Sequence, residues 1–233
     1  CNIGSVYSIQ GDYPKALEYY FKALEIYKKV LGKEHPHTAT SYDYIGIVYN
    51  HQGDYPEALE FHLKALNIRK IVLGEEHQDT ASSYNNIGYV YDNQGDYPKA
   101  LEYYFKALDI NEKVLGKGHP GTAISYCNIG SVYSIQGDYP KALELHFKAL
   151  DIREKVLGKE HPDTAVSYTC IGSVYIQGDY PKALEYYFKA LNITEKVLGK
   201  EHPNTAILYC NIGRILCNHQ RDYSKALEYE FKA

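Results

Sequence analysis

The chain has 233 residues, a formal net charge of -4 and 45% hydrophobic residues spread evenly along it. That excludes a disordered chain and removes the basic balance that nucleic-acid binders carry. No apolar run approaches the roughly 20 residues a membrane helix needs, and no secretory signal is visible. The five cysteines, Cys1, Cys127, Cys170, Cys210 and Cys217, are odd in number and irregular in spacing. They make no disulfide framework and point to a reducing, cytoplasmic setting. With Cys1 first and no Met, the chain reads as a fragment truncated within a repeat at both ends.

Three markers recur. Gly-Asp-Tyr-Pro stands at Gly11, Gly53, Gly95, Gly137 and Gly178, with a degenerate sixth copy at Arg221-Asp222-Tyr223-Ser224. The successive steps are 42, 42, 42, 41 and 43 residues. Ile-Gly ends at Gly4, Gly46, Gly88, Gly130, Gly172 and Gly213. Leu-Gly ends at Gly32, Gly74, Gly116, Gly158 and Gly199, each followed by a His. Each period predicts two helices, from about Thr38 to His51 and from Tyr55 to about Leu73 in the first complete copy. Asp54 supplies the N-cap of the second helix and Pro56 falls in its first turn, where a missing N–H costs nothing. Gly74 stands where a helix ends in a left-handed residue. Pro36, Pro120, Pro162 and Pro203 precede the next first helix, and Gln78 replaces Pro in one copy. Between the helices, Gly46 and Ala58 allow close approach, while Leu59, Ala65, Leu66 and Val72 fill the seam. The reading is one all-α domain over residues 1–233, about five and a half units long.

The spacing Tyr42-x-x-Ile45-Gly46-x-x-Tyr49, followed by Ala58 and Ala65, resembles the tetratricopeptide repeat. Tyr84, Ile87, Gly88, Tyr91, Ala100, Tyr104 and Ala107 fit it more fully. The 42-residue period with Leu-Gly-Lys-Glu-His-Pro-Asp-Thr-Ala, as at Leu157 to Ala165, is similar to the kinesin light chain and nephrocystin-like type. The resemblance implies a right-handed α-solenoid superhelix of antiparallel helix pairs, and a scaffold that binds a protein or peptide ligand in a concave groove.

Comparison between copies picks out a variable face on the first helices, on a framework that barely changes. Its candidate ligand-binding residues are Asp43, Asn50, Asn85, Asn86, Tyr89, Asp92 with Asn93 beside it, Cys127, Asn128, Ser131, Ser134, Thr169, Ser173, Asn211 and Arg214. Their spacing by three or four residues places them on one side of each helix. Drift on an unselected surface is the competing reading. In kinesin light chains a similar Asn-Asn contributes to cargo-peptide binding, which by resemblance gives that role to Asn85, Asn86, Asn128 and Asn211. An amide both donates and accepts, so it holds an extended backbone without reading side chains. An interhelical brace is the alternative for these amides. The wall carries Asn, Ser, Asp, Thr and Tyr, with Arg214 its main cation, unlike the basic groove of kinesin light chains.

Other signals point to packing. The corner histidines His35, His77, His119, His161 and His202 occur once per unit and read as turn caps rather than metal ligands. Cys127, Cys170 and Cys210 lie at nearby phases of successive first helices and read as reduced thiols. His62 and His146 alternate with Tyr20, Tyr104 and Tyr187 and read as packing or partly exposed substitutes. No catalytic constellation, cofactor motif or metal site is visible, so no enzyme, nucleic-acid or membrane role is expected. A second functional reading is a self-assembling array, a homo-oligomer stacked through its repeat ends. The fifth copy is one residue short and the sixth one residue long. Each slip is expected to change the rotation between neighbouring helices and so kink the superhelix.

Overall fold

The computed structural model describes residues 2–220 and 223–230 and divides into two compact units, Cys1–Lys117 and Gly118–Ala233. The first unit holds α1 (Asn2–Ile9), α2 (Tyr13–Val30), α3 (Pro36–Gln52), α4 (Tyr55–Val72), α5 (Gln78–Gln94) and α6 (Tyr97–Val114). The second holds α7 (Pro120–Ile135), α8 (Tyr139–Val156), α9 (Pro162–Tyr175), α10 (Tyr180–Val197) and α11 (Pro203–Ile215). A π-helical turn (Leu216–Gln220) and α12 (Tyr223–Glu230) complete it. The chain is all-α, and within each unit sequential antiparallel pairs pack on one another as a solenoid. Cys1, Arg221, Asp222 and Ala233, which figure in the sequence reading, lie outside the described residues.

The punctuation seen in the sequence works through specific bonds. The prolines do not stand outside the first helices; Pro36, Pro120, Pro162 and Pro203 are their first residues, and Gln78 takes that place in α5. The corner histidine is the N-cap in all five copies. His35 Nδ1, for example, accepts the backbone N–H of His37 at 3.1 Å, and His119 that of Gly121 at 3.0 Å. A ring nitrogen thus satisfies one of the donors a helix start leaves free. Thr80 Oγ1 then donates back to the Gly74 carbonyl at 2.8 Å, closing the corner. Gly74 itself has φ 94°, a left-handed value that a Cβ disfavours.

The second helices start with Asp. Asp12, Asp96, Asp138 and Asp179 each accept the backbone N–H three residues on, and each also pairs with that residue's Lys side chain. Asp54 makes no such cap bond, contrary to expectation. Glu57 stands where the other copies have Lys, so like charge meets Asp54 at that corner.

Five of the pairs, from α1–α2 to α9–α10, are closed by a ring laid on a glycine. A Cβ placed on Gly88 would stand 2.7 Å from the Tyr104 ring, and one on Gly46 2.8 Å from His62. Gly4 and Tyr20, Gly130 and His146, and Gly172 and Tyr187 repeat the contact. His62 and His146 are therefore fully buried, each 1% exposed, rather than partly open. Ala58 and Ala65 are buried with them. Val72 is not part of the seam; it is the last residue of α4 and is 45% exposed.

Both length slips change the local hydrogen bonding in the second unit. In the fifth copy Asp179 N–H reaches the Tyr175 carbonyl four residues back, where Asp138 N–H reaches five back to Tyr133. Gly178 is not among the left-handed glycines, unlike Gly137 at φ 82°. The extra residue of the sixth copy enters a π-helical turn at Leu216–Gln220, the usual way a helix takes up one insertion.

Candidate ligand-binding wall

The variable residues of the first helices fall into three environments. Tyr89, Asn93, Ser173 and Arg214 are exposed. Asn85, Asn86, Asp92, Asn128, Ser131, Ser134, Thr169 and Asn211 are half-buried. Asp43, Asn50 and Cys127 are buried, at 6%, 6% and 7% exposure.

Asp43 differs most from a surface reading. Its Oδ1 lies 2.8 Å from His62 Nδ1 and its Oδ2 2.5 Å from Arg69 Nη1. Arg69 also donates to Ser83 Oγ at 2.5 Å. The residue is thus the counter-charge of a buried guanidinium and links α3, α4 and α5. Copy-to-copy variation placed it on a face open to a ligand, whereas it is buried between helices as the partner of His62 and Arg69. The sequence reading did not single out Arg69 or its equivalent Arg153. The signal was present: His and Arg seven residues apart on one helix occur in the second and fourth copies alone.

In the fourth copy the same three places hold Cys127, His146 and Arg153. Arg153 Nη1 donates to Cys127 Sγ at 3.5 Å, to Ser167 Oγ at 2.8 Å and to the Asp163 carbonyl at 3.1 Å. The Cys127 thiol is held well below its ordinary range, first by the hydrogen bond from Cys170 and then by the His146 and Arg153 side chains beside it. The Cys170 thiol, as donor, is pushed up. Of the three first-helix cysteines, Cys127 is buried, Cys170 half-buried and Cys210 exposed.

Other wall residues spend their polar atoms at home. Thr169 Oγ1 donates to the Ala165 carbonyl at 2.9 Å and Ser173 Oγ to the Cys170 carbonyl at 2.7 Å. Arg214 Nη2 donates to Asn211 Oδ1 at 3.2 Å. Three acceptors in the first unit do not: Asn50 Oδ1 on α3, and Asn85 Oδ1 and Asp92 Oδ1 on α5, are buried atoms without a hydrogen-bond partner. Burial raises the Asp92 carboxyl above its ordinary range. A buried acceptor left unpaired costs about 1–3 kcal/mol.

The tetratricopeptide repeat model matches residues 1–71, 43–113, 79–155, 129–187 and 168–233, and so runs the length of the chain. The chain belongs to the tetratricopeptide repeat family. Among solved structures it is similar to BtubC (BKLC) from P. vanneervenii, at 28% identity over 86% of this chain and 80% of that one, TM-score 0.70. It is also similar to a kinesin light chain-like protein with nearly identical TPR-like repeats from Podosopora anserina, at 25% identity over 84% and 95%, TM-score 0.68. The Rap conjugation gene regulator of plasmid pLS20, solved with the Phr* peptide, shares the fold at 17% identity over 97% and 59%, TM-score 0.75. A search of curated proteins gave no match. Tetratricopeptide arrays generally mediate protein or peptide binding, and the family is typically non-catalytic. No helix among the described residues is long and apolar enough to cross a membrane.

Proposed function

We propose that the chain is a binding scaffold that takes an extended segment of a partner protein against the polar faces of its first helices. The observation that carries this reading is the set of unpaired buried acceptors Asn50, Asn85 and Asp92, all on α3 and α5. Backbone N–H groups or the ammonium of a lysine would satisfy them, so the preferred segment is rich in donors rather than acidic. Asn86, half-buried on α5, is the amide of the first unit suited to hold a peptide backbone, and Asn128 on α7 is its counterpart in the second unit. The peptide-bound Rap regulator supports the reading at the level of fold alone.

The test is a pull-down from a peptide library with Asn85, Asn86 and Asn128 changed together to Ala. Ligands of the parent are expected to weaken at least about tenfold, a loss of about 1.4 kcal/mol. Equal binding by the folded variant would remove these amides from the site.

A further inference from the structure

Where one copy meets the next, a polar pair crosses the junction. Arg69 on α4 donates to Ser83 Oγ on α5 at 2.5 Å, and Arg153 on α8 donates to Ser167 Oγ on α9 at 2.8 Å. The junction of α10 with α11 abandons that pair. Leu208 replaces the serine that Ser41, Ser83, Ser125 and Ser167 supply, and Thr194 replaces Arg69, Asn111 and Arg153. Cys170 stands where the other complete first helices have Tyr44, Asn86, Asn128 and Asn211. Thr194 Oγ1 donates back to the Leu191 carbonyl at 3.1 Å instead of crossing to α11. Here the structure opens a cleft of about 390 Å³, lined by Cys170, Thr194 and Leu208 with the exposed aliphatic side chains of Val166 and Ile207. In the first unit Thr40 and Ser82 hold the place of Val166 and Ile207. A concavity of this size with apolar walls and few polar groups has the make-up of a ligand site. Thr169 also lines it, but its hydroxyl, like that of Thr194, donates within its own helix, so neither proton is left for a polar guest. The lining holds one carboxylate, Asp163, and no lysine or arginine. Asp163 Oδ2 lies 3.9 Å from His161 Nδ1, but that nitrogen accepts the Asp163 backbone N–H at 3.1 Å and so carries no proton. Arg153 bonds the Asp163 carbonyl, not its carboxylate.

We propose that this cleft takes one leucine-sized aliphatic side chain of a partner segment, with a lysine next to it in sequence whose ammonium pairs with Asp163. The inference rests on the binding-scaffold reading and names the residue pair that the second unit selects. The aliphatic walls reward an apolar side chain, and a polar one would lose its water there without gaining a donor. An acidic neighbour would meet Asp163 with like charge, whereas a basic one complements it.

The experiment follows the methyl resonances of Val166, Ile207 and Leu208 in the whole chain while N-acetyl-leucyl-lysinamide is added. Saturable shifts of all three are expected. The peptides with serine in place of leucine, or glutamate in place of lysine, are each expected to bind at least about tenfold more weakly. V166S/I207S, which copies Ser82 at two exposed places, and T194N/L208S, which copies Asn111 and Ser125, are each expected to lose the preference for leucine over serine. D163N, which copies Asn204, is expected to lose the preference for lysine over glutamate and to keep the one for leucine. 3-Methylbutanol has the leucine side chain without backbone or ammonium, and is expected to bind more weakly than the dipeptide. Equal binding of the alcohol would make the cleft a site for a free apolar molecule and overturn the proposal. So would a serine peptide that binds as well as the leucine one, or V166S/I207S or D163N with the preferences of the parent. If T194N/L208S does not fold, V166S/I207S decides alone. The variant with Asn85, Asn86 and Asn128 changed to Ala is expected to bind the dipeptide as the parent does, so failure of those amides and failure of the cleft are read separately.

Discussion

Asp43 shows what a single side chain decides here. With it gone, Arg69 and His62 remain in the interior without their partner, and breaking one side of a buried pair costs about 3–5 kcal/mol. D43A is expected to lose that much in urea unfolding, far more than a surface aspartate. Asp92 behaves in the opposite sense. Burial raises its carboxyl above the ordinary value of 3.8, so the native state holds a proton that the unfolded chain has released. The native state then binds more protons across that window, and stability falls as pH rises from the ordinary value through the raised one. D92N is expected to abolish this fall, seen as a flatter plot of melting temperature against pH. A donor-rich ligand would draw the proton off, so its affinity is expected to rise with pH through the same window, read by calorimetry as proton release. Copy comparison found Asp43, Asn85 and Asp92, because it flags every place where the copies differ. It did not separate outward places from inward ones, since Asp43 owes its burial to Arg69, seven residues beyond His62 on another helix.

Helices were legible almost to the residue. Gly, Pro and the Asp and His caps act through local backbone chemistry, so the expected start at Tyr55 and the observed one coincide, and the other ends agree within two residues. The role of Gly46 was legible in kind. The partner that needs the space, a ring at His62, follows from the packing of two helices and has no local signature. G88A is expected to cost about 1–3 kcal/mol, the usual range for overfilling a packed site, because the Tyr104 ring must shift. Pairing G88A with Y104L removes the opposing ring and should recover part of the loss, as a double-mutant cycle by chemical denaturation would show. The π-helical turn at Leu216–Gln220 holds one residue more than a regular helix would. Deleting Asn218 is expected to leave helix content unchanged by circular dichroism, with a melting temperature no lower than the parent's.

Across the whole chain the surface repeats as faithfully as the interior. Glu18 and Lys22, Glu60 and Lys64, Glu102 and Lys106, Glu144 and Lys148, and Glu185 and Lys189 pair at 2.5–2.7 Å on the exposed side of the second helices. Each is worth only tenths of a kcal/mol and weakens with salt. Raising salt to about 0.5 M is therefore expected to move the melting temperature by a few degrees at most, because burial carries the stability. The family and the helix-pair architecture were legible because the period is a property of the whole sequence. A ligand's identity leaves no such period, since it is written in the few places where the copies disagree.

Those disagreements come in sets of three. Asp43 goes with His62 and Arg69, Asn85 with Tyr104 and Asn111, Cys127 with His146 and Arg153, and Thr169 with Tyr187 and Thr194. The two sets with His and Arg are 84 residues apart, two full periods. Swapping one letter between neighbouring copies would therefore strand a cation or crowd a ring, whereas moving a whole trio, or a two-period cassette, preserves every interior partnership. Any engineer who shuffles these modules, and any genome that lengthens them by unequal crossing-over, is bound to the trio as the smallest harmless unit of exchange.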